Sequence, residues 1–410
     1  MRRAIYIAIV SLMVVAVFDP MDRIWHLKVP LFILVCGLGL LYAAVKMGRV
    51  PLSASLALYV LAFALVIPLL SMCVYILRDC NGVEYAGFDY LKAYLFLVLS
   101  AIFALAEIDA ARSLCAILTI LSILLIGVLL VAGTNPALAG VLWGFGDTFG
   151  VGSFSQRSYG DFQMTGVYFN SSPLLVLPIA YFTYRSFATK GWSLVVSTAV
   201  LGINIIAMMM SGTRNNMFAG CLTMFLTAVW YSKRKLPLIL TGAILSIAIV
   251  GIEWNAIREM VSATEGSNEI KLQHLHDYAQ LLAEPMTLLI GQGLGAYFKS
   301  TAYGSTSVTE LTYFEILRFY GLMLSVPLLC LLAYPITRLT RSDHRQSHYL
   351  YIGYGGYLWL CIANPFLMSS TGMLILSVVI YRAFCPSVAR DSSANRPSRG
   401  PGAAHPRYVV

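Results

Sequence analysis

Charge is what this chain has least of. Only 11% of its 410 residues are Asp, Glu, Lys or Arg, against about 25% in a soluble domain. Such poverty excludes a disordered chain and a soluble globular enzyme, and it leaves no basic surface for nucleic acid. The eight cysteines contain no C-x-x-C pair, which removes zinc and dithiol redox chemistry and leaves most of them as small apolar side chains. No A-x-A cleavage signal follows the first apolar run; Asp19-Pro20-Met21-Asp22 does, so that run is read as a retained anchor and not as a cleaved signal peptide. No carboxylate cluster of metal-binding character stands out, and no metal or cofactor is expected.

Apolar sequence is present in abundance. Hydrophobic residues make up 59% of the chain and the mean hydropathy is +0.76. Runs of about 20 apolar residues are long enough to cross a bilayer. The pattern predicts an all-α polytopic membrane protein of about twelve helices, near 4–18, 29–46, 52–77, 92–107, 111–132, 172–187, 192–210, 216–231, 236–253, 316–337, 348–364 and 370–385. Residues 1–385 form the bundle, and the Ser-, Pro- and Arg-rich 386–410 is a disordered cytoplasmic tail.

Basic residues fix the expected orientation. With both termini in the cytoplasm, 18 of the 28 Lys and Arg fall inside, while 15 of the 19 acids fall outside. That asymmetry obeys the positive-inside rule for an even number of spans. The large segments 133–171 and 254–315 then lie on the outer face, with a smaller one at 78–91.

Candidate functional residues gather at that outer boundary. Ser211-Gly212-Thr213-Arg214 joins two apolar runs with almost no loop. An arginine there either snorkels or faces a cavity and binds an anion. Arg258, Lys271, His274 and His276 precede Gly291-Gln292-Gly293-Leu294-Gly295. This G-x-G-x-G lacks the strand-then-helix context of a dinucleotide fingerprint and reads as a tight turn re-entering the bundle. Glu310 opens the next helix, where it either favours the helix dipole or acts as a base. Glu315 and Arg318 are spaced for an i, i+3 pair at the interface. Segment 133–171 adds Arg157, Tyr159, Asp161 and Tyr168.

Three features in order resemble the O-antigen polymerase (Wzy) and O-antigen ligase superfamily of bacterial surface-polysaccharide enzymes. They are the small-residue turn with Arg214, the loop with Lys271, Pro285 and the glycine turn, and Glu310-Leu311-Thr312-Tyr313-Phe314-Glu315-Ile316-Leu317 running to Gly321. The likeness covers about residues 200–330. Lys271 stands where many members have Arg. Ligases carry a His near the end of the loop, where this chain reads Ser307-Val308-Thr309-Glu310, so the polymerase is favoured.

The resemblance implies a GT-C-like, metal-independent glycosyltransferase of the inner membrane that polymerises undecaprenyl-pyrophosphate-linked oligosaccharide repeats into O-antigen, capsular or exopolysaccharide at the periplasmic face. The alternatives are an O-antigen ligase and a flippase for the repeat unit. The partners implied are the lipid-linked oligosaccharide and membrane lipids, with a chain-length regulator as candidate protein partner. Arg214, Arg258 and Lys271 are then the candidates for holding pyrophosphate, with Arg157 and Arg318 behind them. Glu310 is the first candidate base and His274 the second.

Overall fold

A computed structural model describes residues 1–46, 53–78, 85–159, 162–252, 254, 258, 262, 265–341 and 347–385. The protein is mostly helical, at 78%. Helices α1 (Arg2–Phe18) and α2 (Lys28–Val45) are followed by a rod made of α3 (Ala54–Leu61), a π-helical turn at Ala62–Val66 and α4 (Ile67–Leu77). Pro68 has no N–H and would clash with the carbonyl four residues back, and the wider turn relieves that crowding. Next come α5 (Gly87–Leu95), α6 (Val98–Ala106) and α7 (Ala110–Thr134).

The expected loop 133–171 instead contains α8 (Pro136–Phe149) and an antiparallel hairpin of β1 (Gly152–Tyr159) and β2 (Phe162–Phe169). The local reasons are plain. Asn135 caps α8 by accepting hydrogen bonds from the amides of Ala137 and Leu138 at 3.1 and 3.2 Å, Pro136 sits at the first turn, and Gly150 ends the helix with φ of 62°. A 3₁₀ turn, Ser172–Leu175, leads into α9 (Val176–Ala188), followed by α10 (Trp192–Met210), α11 (Arg214–Tyr231) and α12 (Lys235–Ile252).

Segment 254–315 is likewise structured where described. It holds α13 (Gly266–Leu282), α14 (Pro285–Ile290) and a small ribbon of β3 (Phe298–Ser300) and β4 (Gly304–Thr306). The chain then runs through α15 (Thr312–Thr340), α16 (His348–Leu360) and α17 (Ser370–Phe384). The expected tail 386–410 and Asp161 lie outside the described residues.

Every apolar run read from the sequence is helical over most of its length. Among the described residues six helices are long and apolar enough to cross a membrane: Lys28–Val45, Ala54–Leu77, Gly87–Ala106, Ala110–Thr134, Trp192–Met210 and Thr312–Thr340. Their outward faces carry bare large side chains such as Leu40, Leu77 and Met323, all at least 67% exposed. Patches of that extent do not persist against water. By contrast, α17 is buried at every residue from Thr371 to Ala383, as expected of a helix that is apolar all round and central. Asn204, in the middle of α10, is satisfied by α7. It accepts from Ser122 at 2.9 Å and donates to Thr119 at 3.3 Å, which ties the two helices together.

The glycine turn is a clasp. Gly291, Gly293 and Gly295 have φ of 81°, 93° and 76°. Helix α15 breaks at Gly321, φ 58°, which opens the carbonyls of the preceding turn. The amides of Gln292 and Gly293 donate to those of Arg318 and Phe319 at 2.7 and 3.0 Å, and Leu294 donates to Ser71 at 3.3 Å. The loop is thereby threaded between α4 and α15.

Candidate functional site

The site is assembled where four chain segments meet beyond the ends of α10 and α15. Met210 ends α10, Gly212 turns the chain with φ of 71°, and Arg214 begins α11. Gly166 of the hairpin lies against that turn so closely that a Cβ would sit 2.5 Å from the Gly212 Cα. A cation at a helix N-terminus opposes the helix dipole, and here a carboxylate offsets it. Arg214 Nη2 donates to Glu265 Oε2 at 2.6 Å and to Asn268 Oδ1 at 3.2 Å. Glu265 is also the cap of α13, accepting from the Asn268 amide at 3.1 Å.

One turn further along α13, Lys271 Nζ donates to Ser267 Oγ at 3.0 Å and lies 3.4 Å from Glu310 Oε2. The other oxygen of Glu310 accepts from the Tyr303 hydroxyl at 3.3 Å. Arg214, Lys271, Glu310 and Tyr303, with Asn215 and Asn268, face a cavity of about 510 Å³ closed on further sides by Tyr168 of β2 and by Asn364-Pro365-Phe366. The two cations and the two carboxylates are all partly exposed, at 20–30%.

His274 does not reach the cavity. It is fully buried behind Tyr303, with ring centroids 4.9 Å apart, and neither ring nitrogen has a hydrogen-bond partner. Burial lowers its pKa, outweighing the opposing pull of Glu310 and Asp277, so the ring is held neutral. Asp277 anchors the ribbon that carries Tyr303: it accepts from the amide and hydroxyl of Thr301 at 2.8 and 2.5 Å and from Ser300 at 3.1 Å. Burial pushes its carboxyl up, but these donors and His274 together take it below the usual range. The Tyr303 phenol is pushed up to about 12, first by burial and then by Glu310.

Arg318, expected among the anion-binding cations, has a different place. It is fully buried and donates to the carbonyls of Ala296 at 2.6 Å and Ser307 at 2.8 Å. Its guanidinium lies between the rings of Phe298 and Phe319, 4.5 and 4.2 Å from their centroids. Its 3.9 Å pairing with Glu315 is buried and not interfacial, which corrects the expectation of a pair at the interface. The inward phase of α15 at this residue makes Arg318 the rivet of the glycine clasp.

Arg258 is exposed and is not part of the cavity wall. Arg157 sits on β1 in register with Met164, and its side chain lies outside the description. Of the residues singled out in the sequence, Arg214, Lys271, Glu310 and Tyr168 are thus brought together. Asn215, from the same turn as Arg214, joins them, and so do Glu265, Asn268 and Tyr303, which the sequence had not singled out. Glu265 carried a signal, since its carboxylate stands three residues before a backbone amide that can donate to it at the start of a polar helix. Tyr303 carried none. Among the described residues no group of three or more His, Cys, Asp or Glu side chains is placed to hold a metal ion.

Comparison with known protein families and with curated proteins finds no match for this chain.

Proposed function

We propose that this chain is a metal-independent membrane glycosyltransferase that polymerises undecaprenyl-pyrophosphate-linked oligosaccharide repeats at the periplasmic face of a bacterial inner membrane, in a GT-C-like bundle of about twelve spans with both termini cytoplasmic. The observation that supports it best is the convergence of Arg214, Lys271 and Glu310 on one cavity of about 510 Å³ at the end of an apolar bundle. A planar guanidinium binds a phosphate through two parallel hydrogen bonds, whereas an ammonium contributes a point charge. A pyrophosphate would take the place of Glu265 and Glu310 as counterion to the two cations.

The chemistry follows from that placement. The acceptor hydroxyl oxygen attacks the anomeric carbon of the donor glycan. The bond from that carbon to the pyrophosphate oxygen breaks, and the electron pair leaves on phosphate. Arg214 and Lys271 stabilise this growing charge more in the transition state than in the ground state. The acceptor's proton passes to Glu310, freed from Lys271 by the pyrophosphate and held in position by the Tyr303 hydroxyl. His274, behind Tyr303, supports the wall and takes no proton from substrate.

Loss of the protein should leave lipid-linked single repeats and abolish long chains. The purified protein, given lipid-linked repeats in a bilayer, should build a ladder of products. Full-length glycan left unattached to its acceptor would instead mark a ligase. Single repeats trapped in the cytoplasmic leaflet would mark a flippase.

A further inference from the structure

A second cavity, of about 430 Å³, adjoins the first and differs from it in kind. It is lined by α7, α8, the hairpin and the segment after α1, and none of its lining residues is charged. Leu125, Val128 and Phe145 form its walls, and Trp25, Leu124 and Phe145 keep 45–51% of their surface open. The two cavities share two residues, Ser153 and Tyr168. These are cross-strand partners in the hairpin, so a single rung of β-ribbon separates a polar chamber from an apolar groove. At that rung the Tyr168 hydroxyl is buried and makes no hydrogen bond. A buried donor without an acceptor is costly unless a ligand supplies one.

We infer that the apolar groove holds the first isoprenoid units of the lipid-linked substrate, with the Ser153–Tyr168 rung marking the junction between chain and pyrophosphate. The inference rests on the polymerase reading for the identity of the head group. Its own basis is the continuity of the two cavities. An amphiphile with its anionic head beside Arg214 and Lys271 has to place the start of its tail against the adjoining wall. On the hairpin side that wall is the groove. The unpartnered Tyr168 hydroxyl then donates to a phosphate oxygen. Burial holds this phenol well above its ordinary pKa, so it remains a donor. The groove is open at its rim, so a long chain continues outward into the bilayer.

The test uses the full-length protein in lipid nanodiscs and a polyprenyl pyrophosphate carrying a photoreactive diazirine in its first isoprenoid units. Cross-links should concentrate in residues 121–128 and 142–146, and unlabelled undecaprenyl pyrophosphate should displace them. Tyr168→Phe should raise the concentration needed for half-maximal labelling on the order of tenfold. Cross-links spread over the outward faces of α2 and α12, with the groove no richer, would overturn the inference. So would labelling of the groove by a photoreactive phospholipid that the polyprenyl pyrophosphate fails to displace, since a bilayer acyl chain would then be the occupant. Polymer synthesis by the same preparation is scored separately. Groove labelling without polymer would sink the polymerase reading and leave the isoprenoid site standing, and polymer without groove labelling would do the reverse.

Discussion

A guanidinium at the first residue of a helix sits against the helix dipole, and Arg214 is held there by Glu265 at 2.6 Å. If this cation receives the leaving pyrophosphate, Arg214→Ala should lower the rate of polymerisation a few hundred-fold, or about 3–4 kcal/mol, by analogy with loss of one oxyanion donor. Arg214→Lys should be nearly as poor, because an ammonium lacks the planar fork. A merely snorkelling arginine would be replaced by lysine without loss. Wild-type chain length from the Lys variant at equal protein level would therefore remove Arg214 from the site. His274 supports a prediction of another kind. Its folded pKa is depressed by burial. Above the ordinary imidazole value, about 6.5, both folded and unfolded chains hold it neutral. As pH falls through that value the unfolded chain takes up the proton first, and stability declines until the folded pKa is passed. Asp277, also depressed but from 3.8, does not contribute in that window. Thermal unfolding of the detergent-solubilised protein should show a larger drop between pH 7.5 and pH 5.5 for wild type than for His274→Leu. Equal drops would place His274 outside the cause.

At the scale of elements, the sequence was legible where a single rule dominated. Apolar runs coincide with helices among the described residues, six of them long and apolar enough to cross a membrane, because backbone polar groups must be satisfied internally in a bilayer. The glycine turn was also read correctly as a re-entry, and Gly293 shows why. Its φ is 93°, and an added Cβ would stand 2.5 Å from the Tyr75 amide nitrogen. Gly293→Ala should cost about 1–2 kcal/mol from the left-handed backbone alone, with the contact adding to it. The prediction is a lower unfolding temperature, together with release of the segment between α14 and β3 in hydrogen exchange. An unchanged unfolding temperature would contradict the clasp. Helix α8 and the hairpin were missed for a physical reason. They are short, rich in glycine and aromatics, and lack a clean period. The capping signal of Asn135-Pro136 was present but was outweighed by composition. The placing of Arg318 was illegible for a different reason. An i, i+3 spacing with Glu315 describes a pair but not the direction it faces, and only the packing of Phe298 and Phe319 around the guanidinium turns it inward.

For the whole molecule, the apolar exterior and the positions of charge lead to one geometrical demand. Arg214, Lys271, Glu310 and the hairpin gather at one end of the bundle. Lys233 and Arg234, between α11 and α12, and Lys235, which begins α12, are separated from Arg214 by the length of the 18-residue α11, or about 27 Å of helix. That length is close to the hydrocarbon thickness of a bilayer, about 30 Å. Helix α11, with Arg214-Asn215-Asn216 in its first turn, is not one of the six helices apolar enough by themselves to cross. Its spanning, which would put its two ends in different compartments, belongs to the proposal. The proposed orientation, by the positive-inside rule, puts the Lys233–Lys235 end in the cytoplasm. Reporter fusions decide the matter. A phosphatase that is active only after export should work when fused after Ser267 and fail when fused after Arg341, and a fluorescent protein that matures only in the cytoplasm should do the opposite. The reverse pattern would place the cavity in the cytoplasm, where repeats carried on the outer leaflet cannot reach it. The same result would remove polymerase and ligase together, because both readings put the cavity on the side to which the lipid-linked glycan has been exported.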